Sequence, residues 1–255
     1  MILAVDIGNT NICIGGLDGH KQLFSFRMVT RPRCTPDEYT AEVRFLLRRV
    51  GFSSEQCTGA ILCSVVPALS EPLAQAIRRV TGHEPMRVSY MLDTGLQFAV
   101  DSPERIGQDR IADAAAAAAL YPLPCMTVDL GTATTYNVID DRRRFLGGFI
   151  VPGVQTSLRA ISAGTAQLPP IAPEAADHLI GRNTVECLNS GAVFGTAAMM
   201  EGLADRVETE LRQPLTVVAT GGLARGIIPC CRRKVLYDAD LLFKGLSVLY
   251  RRANS

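Results

Sequence analysis

Apolar residues form a short run at 2–5, and apolar and polar positions alternate in part over 11–17 and 24–28, with Gly or Asp between the runs. That pattern predicts three strands joined by tight turns. Thr35-Pro36-Asp37-Glu38 comes next: a hydroxyl cap, a proline at the first helical position and a glutamate three residues after the cap. Together they open a helix that runs to about Arg49. Residues 59–66 are apolar and stopped by Pro67, which reads as a buried strand. A helix to Thr81-Gly82 and a short strand near 86–89 follow. The first part therefore reads strand, strand, strand, helix, strand, helix, strand.

After an alanine-rich helix over about 109–120, interrupted by Pro122 and Pro124, the opening pattern returns. Residues 126–130, 134–139 and 144–151 read as three strands, with a turn at 140–143, and a helix covers about 154–163. Ala4-Val5-Asp6-Ile7-Gly8-Asn9-Thr10 aligns with Thr127-Val128-Asp129-Leu130-Gly131-Thr132-Ala133, an offset of 123 residues. Both stretches end an apolar strand on Asp and place Gly two residues on. Self-similarity at nearly half the chain length implies duplicated domains rather than a short-period solenoid. The expected architecture is two α/β halves, residues 1–115 and 116–255.

Composition narrows the function. The 255 residues carry a net charge of +1, with 47% hydrophobic and 20% charged residues, values of an ordinary globular chain. That balance gives no global field for nucleic acid or an anionic membrane, so neither is an expected partner. Of the 26 basic residues only three are lysines, at 21, 234 and 244, and none sits in a G-x-x-x-x-G-K-[ST] loop. The eight cysteines include no C-x-x-C pair, and several lie in apolar runs, as Cys13 and Cys63 do; they read as free thiols. The histidines at 20, 83 and 178 form no zinc motif. No leader pattern and no stretch of about 20 apolar residues occurs, so a cytoplasmic protein is expected.

The repeated D-x-G-[NT]-[TA] turn carries the chemistry. Glycine lets consecutive N–H groups point into one concavity, Asn and Thr side chains add donors, and the Asp can hold Mg²⁺. Two such turns could clamp a polyphosphate across a cleft without any lysine. Each is also compatible with an ordinary hairpin turn. Thr220-Gly221-Gly222, after an apolar strand at 215–219, would let backbone approach a flat ligand, and the Gly-rich segment 147–153 reads as a ligand approach or as a bulge before a helix. In Gly107-Gln108-Asp109-Arg110, Asp109 reads either as a helix-terminal carboxylate or as a base for an acceptor hydroxyl, with Arg110 binding a carboxylate. Arg142-Arg143-Arg144 reads as a solvated hairpin tip.

Taken in order, Asp6-Ile7-Gly8-Asn9-Thr10-Asn11, Gly107-Gln108-Asp109-Arg110, Asp129-Leu130-Gly131-Thr132-Ala133-Thr134-Thr135, residues 147–153, Gly181-Arg182-Asn183-Thr184, Thr220-Gly221-Gly222 and the tail from Asp238 to Leu246 resemble type III pantothenate kinases. The resemblance implies a duplicated ribonuclease H-like (actin-like ATPase) fold with mixed sheets and a nucleotide cleft between the halves. It implies a homodimer that uses ATP, Mg²⁺ and a monovalent cation (K⁺ or NH₄⁺) to convert pantothenate to 4′-phosphopantothenate, the first step of coenzyme A biosynthesis. By resemblance, Asp6 is metal-associated, Gly8, Asn9, Thr10 and Asn11 form the first phosphate turn, and Gly131 and Thr132 the second. Asp129 matches a monovalent-cation ligand and Asp109 the general base. Gly107 and Arg110 line the pantothenate site, Thr184 reaches it across the dimer interface, and Gly221 and Gly222 form the adenosine turn.

One position departs from the family. Where a Tyr usually precedes the G-x-D-R segment, this chain has Val100, which puts one acceptor contact in question and leaves the phosphate machinery intact. Two other functions stay open at this point. One is a non-catalytic regulatory or transcription-accessory relative; the other is a kinase of the same superfamily with another hydroxyl acceptor.

Overall fold

The computed structural model describes residues 1–19, 21–174 and 178–255, so His20 lies outside the described residues. Strands β1 (Ile2–Ile7), β2 (Asn11–Asp18) and β3 (Lys21–Val29) form an antiparallel meander, followed by α1 (Pro36–Arg49). The expected capping box is present: Thr35 accepts from Glu38 N–H, and the Thr35 N–H donates to Glu38 at 2.7 Å. Then come β4 (Gly59–Ser64), α2 (Pro67–Thr81), β5 (Met86–Arg87), β6 (Gln97–Phe98) and α3 (Gln108–Leu120). The motif restarts with β7 (Cys125–Leu130), β8 (Ala133–Ile139), β9 (Arg144–Pro152) and α4 (Val154–Gly164). Helix α5 (Thr184–Leu211), β10 (Thr216–Thr220), α6 (Ala224–Ile227), β11 (Leu236–Tyr237) and α7 (Leu241–Ala253) complete the chain.

Duplication is visible in the sheets. One has the order β3-β2-β1-β4-β5; the other contains β9-β8-β7-β10-β11 and adds β6 at the β9 edge. In both, the central strand pairs antiparallel on one side (β1 with β2, β7 with β8) and parallel on the other (β1 with β4, β7 with β10). Even the burial sequences of β1 and β7 coincide, with only the aspartate position partly open. The copies are not identical: residues 8–10 connect β1 to β2, whereas only 131–132 connect β7 to β8, because Ala133 already belongs to β8.

Alternation along β1 sends Leu3, Val5 and Ile7 into a core with Val43 and Leu47 of α1 and Leu69, Leu73 and Ile77 of α2. In the second copy Val128 and Leu130 pack with Val193, Ala197, Met200 and Ala204 of α5. Asp6 and Asp129 necessarily face the other way, off each core.

By contacts, one unit comprises Met1–Leu96, Asp101–Ala119 and Asp240–Ser255, and the other Gln97–Val100 and Leu120–Ala239. These limits differ from 1–115 and 116–255 in three places, the smallest being residues 116–119 at the end of α3, which stay with the first unit. Residues 97–98 join the second sheet as β6, and α7 returns to the first sheet. The return is enforced by small residues: Phe243 lies on Gly15, Tyr250 on Gly59, and Gly245 crosses α3 where an added Cβ would sit 2.0 Å from Ala112 O. Gly245→Ala should therefore force α7 away from α3 and destabilise the protein by about 1–3 kcal/mol. Urea denaturation reads this directly, and an unchanged midpoint would show that the two helices have slack.

Candidate active site

In the first unit the chain leaves β1 at Asp6 and Ile7 and turns through Gly8, Asn9 and Thr10. Gly8 N–H donates to Asn11 O at 2.9 Å, and the turn is tied to the residue after β3: Thr30 Oγ1 donates to Gly8 O at 2.6 Å and Thr30 N–H to Thr10 O at 3.0 Å. Asn9 and Thr10 stay exposed and Asp6 is half-buried. Register places Cys13 beside Asp6 on β2 and Cys63 beside it on β4. The turn is thus a braced loop that presents donors next to a carboxylate.

The start of α3 comes to the same end of this sheet. Ser64 N–H donates to Gln108 Oε1 at 2.8 Å, which anchors the helix to the end of β4. Asp109 follows, with its Oδ1 accepting from Arg110 N–H at 2.8 Å. A Cβ at Gly107 would lie 2.5 Å from Asp109 Oδ1, so a larger residue there would displace that carboxylate. Burial pushes the Asp109 carboxyl up from the usual aspartate range, partly opposed by the Arg110 N–H and guanidinium. Cys63 is fully buried, and burial together with Asp6, Asp109 and Asp113 pushes its thiol well up. Carboxylates at 6 and 109 therefore share a neighbourhood centred on Cys63.

The second unit repeats the turn with different walls. Gly131 and Thr132 connect β7 to β8, and Thr132 O accepts from Gly153 N–H (3.1 Å) and Thr156 Oγ1 (2.7 Å) at the start of α4. A Cβ on Gly153 would lie 2.3 Å from Gly131 O, so glycine alone permits this approach. Gly221, at φ +93°, meets Asp129: an added Cβ would be 2.6 Å from Asp129 Oδ1 and 2.7 Å from Leu130 O. Gly222 is exposed beside it. Val100 packs near Gly147, within the second unit. Thr184 is exposed in the first turn of α5, capped by Asn183, whose Oδ1 accepts from Glu186 N–H at 3.0 Å.

Comparison with known proteins decides the family. The family described as type III pantothenate kinase matches residues 2–206. A type III pantothenate kinase of Agathobacter rectalis is 37% identical over 255 residues, covering 100% of this chain and 98% of the relative. The chain belongs to the type III pantothenate kinases. It is an ATP-dependent kinase that phosphorylates pantothenate in coenzyme A biosynthesis, and its family implies a divalent metal. The Campylobacter jejuni protein described as a Baf family transcriptional activator has a similar structure, with TM-score 0.63 at 20% identity over 99% of this chain and 100% of that one. A ROK hexokinase from Thermus thermophilus gives 0.55 at 15% identity, covering 98% of each chain. Both likenesses concern the fold, which is the duplicated ribonuclease H-like fold of actin-like ATPases.

For a pantothenate kinase the donor sets are economical. Among the described residues no group of three or more His, Cys, Asp or Glu is placed to hold a metal ion. Asp6 alone fits Mg²⁺, which takes one or two carboxylates and completes its shell from phosphate oxygens and water. At Asp129 the missing Cβ of Gly221 leaves a cradle of carboxylate and carbonyl oxygens, a donor set suited to a hard cation. In the sequence Cys63 has the pattern of one more buried thiol; what sets it apart is its place in the Ile-Leu-Cys-Ser strand, parallel to the Asp6 strand.

The raised Asp109 value has a consequence for stability. A carboxyl whose folded pKa lies above its unfolded value, about 3.9, favours the folded state at low pH and loses that contribution as pH rises through the folded value. At neutral pH the ionised Asp109 therefore costs stability. Asp109→Asn should melt at the same temperature as the parent or higher at pH 7.5, and the gap should close as pH falls toward the carboxylate range. Scanning calorimetry across pH checks this; a variant less stable at neutral pH would mean that the charge is held rather than strained.

Proposed function

We propose that Asp109 is the general base of the pantothenate reaction and that the two aspartate–glycine turns hold the nucleotide's phosphates. The observation that carries this reading is the recurrence of one strand–turn arrangement in both units, with a carboxyl that burial makes more basic beside the first. Asp109 takes the proton of the pantothenate 4′-hydroxyl as that oxygen bonds to the γ-phosphorus and the bond from phosphorus to the ADP oxygen breaks. A carboxyl raised by burial is a stronger base for this step than an exposed one. Gly107 leaves room for the Asp109 carboxylate, and Arg110 binds the pantothenate carboxylate through its guanidinium fork.

N–H groups and side chains of residues 8–11, with Gly131 and Thr132, align the phosphates, and Gly221 and Gly222 admit the adenosine. Asp6 would hold the divalent ion, which neutralises charge on the phosphate oxygens when bound. Asp129, beside Gly221, would hold the monovalent cation, K⁺ or NH₄⁺. Val100 gives the acceptor site an apolar contact where the family usually has a tyrosine hydroxyl.

The working form is a cytoplasmic homodimer in which Thr184 contacts pantothenate bound to the other copy. Supporting this, Thr184 lies among exposed Leu179, Ile180 and Val185, at 61%, 79% and 45% exposure. Beside them a largely apolar groove of ≈ 460 Å³ runs between α4 and α5, where Gly191, Ala192 and Gly195 leave helix α5 open to a second helix. No helix among the described residues is long and apolar enough to cross a membrane.

Pantothenate-dependent ADP formation in Mg-ATP and K⁺ should fall by about 10²–10⁴-fold in Asp109→Asn, the range for loss of a general base. Replacing K⁺ with Na⁺ should also lower the parent rate. Full activity of the variant would remove Asp109 from the chemistry, and equal rates in the two salts would remove the cation from Asp129.

A further inference from the structure

Strand register aligns four residues of the first unit in one row across the sheet. Arg27 on β3 pairs with Cys13 on β2, Cys13 with Asp6 on β1, and Asp6 with Cys63 on β4. Paired residues of neighbouring strands share a face, so all four side chains leave the sheet on the side opposite the apolar core. The Arg27 guanidinium is among the groups that act on the Cys13 thiol, so Arg27 lies near the residue that stands between it and Asp6. At about 4.8 Å per strand, the Arg27 backbone lies roughly 10 Å from that of Asp6, a distance an extended arginine largely spans.

Two further observations bear on its role. Arg27 is exposed and has no salt-bridge partner among the described residues, unlike Arg31, Arg79 and Arg87, each of which pairs with a carboxylate. The matching row of the second unit is Ile150, Thr135, Asp129 and Thr220, with an exposed apolar residue where the first unit has its cation. The positive side chain is thus a feature of one copy only. An edge strand can carry a charge merely to deter pairing with another chain, and β3 is an edge. That role would not require a guanidinium beside Cys13, in the row that holds Asp6.

We propose that Arg27 is a further catalytic residue, whose guanidinium contacts the phosphate chain held at residues 8–11. The proposal rests on the reading of that turn as a phosphate site. In a chain with no phosphate-loop lysine, Arg27 supplies a fixed charge and a planar set of donors for non-bridging oxygens. It stands on the opposite side of Asp6 from Cys63 and Asp109, so base and phosphate-neutralising charge flank the metal-associated carboxylate.

The test compares the intact protein with Arg27→Ala, Arg27→Gln and Arg27→Lys. Calorimetry measures binding of a non-hydrolysable Mg-ATP analogue, Mg-ADP and adenosine, and steady-state assays measure both substrates. Arg27→Ala and Arg27→Gln should lose about 10²–10³-fold in kcat/KM for ATP, the range for removing one charge-stabilising group. The analogue should weaken more than ADP and adenosine not at all, with the pantothenate KM and the melting temperature little changed. Arg27→Lys should recover part of the loss. Retention of analogue affinity and of kcat/KM in Arg27→Gln would overturn the proposal, as would equal weakening of adenosine and analogue. If the parent protein makes no pantothenate-dependent ADP, the acceptor assignment fails, and the binding series still decides the role of Arg27.

Discussion

In each unit the geometry depends on one strand being held from both sides. β1 is paired antiparallel with β2 and parallel with β4, and β7 likewise with β8 and β10. The antiparallel partner forces a tight turn immediately after the aspartate. The parallel partner ends at the same edge, so Cys63 of β4 lies beside Asp6 in one unit and Gly221, which follows β10, meets Asp129 in the other. Backbone hydrogen bonds on both edges leave the central strand little freedom, and the turn donors are preorganised before any ligand arrives. Alternation along the strand then separates the two faces: odd positions of β1 build the core, and Asp6 faces away from it.

Given this common frame, the two copies have diverged at the positions around the aspartate. The first carries thiols at 13 and 63, the start of α3 with Asp109, and Arg27 at the edge. The second carries hydroxyls at Thr135 and Thr220 and two glycines, 153 and 221, that draw backbone oxygens close. A mobile, strongly charged substrate such as ATP asks for neutralising charge and alignment more than covalent chemistry. On the proposed reading, the first copy serves metal, phosphate charge and proton transfer, and the second backbone contact and a weakly held cation.

Much of this was legible in the sequence because the signals were local. The Thr35 capping box, the strand ended by Pro67 and the paired D-x-G turns each fit within a few residues, and the structure has all three. The 28-residue helix α5 escaped because its apolar residues do not keep to one face: groove, core and exposed Val185 share its surface, and only Asn183 and Glu186 mark its start. The return of α7 to the first sheet escaped for another reason. It depends on Gly15, Gly59 and Gly245 meeting residues far away in the chain, which no window of sequence displays. Arg27 belongs to the same class, since only strand register aligns it with Asp6.

The central claim is that the two aspartates at equivalent places serve different ions. Its most direct test is the ion requirement of pantothenate-dependent ADP formation in Asp6→Asn and Asp129→Asn. Asp6→Asn should raise the Mg²⁺ concentration for half-maximal rate by at least about tenfold and leave the K⁺ requirement in place, and Asp129→Asn should do the reverse. Both substitutions shifting the same ion, or neither shifting any, would contradict the division of labour between the two turns.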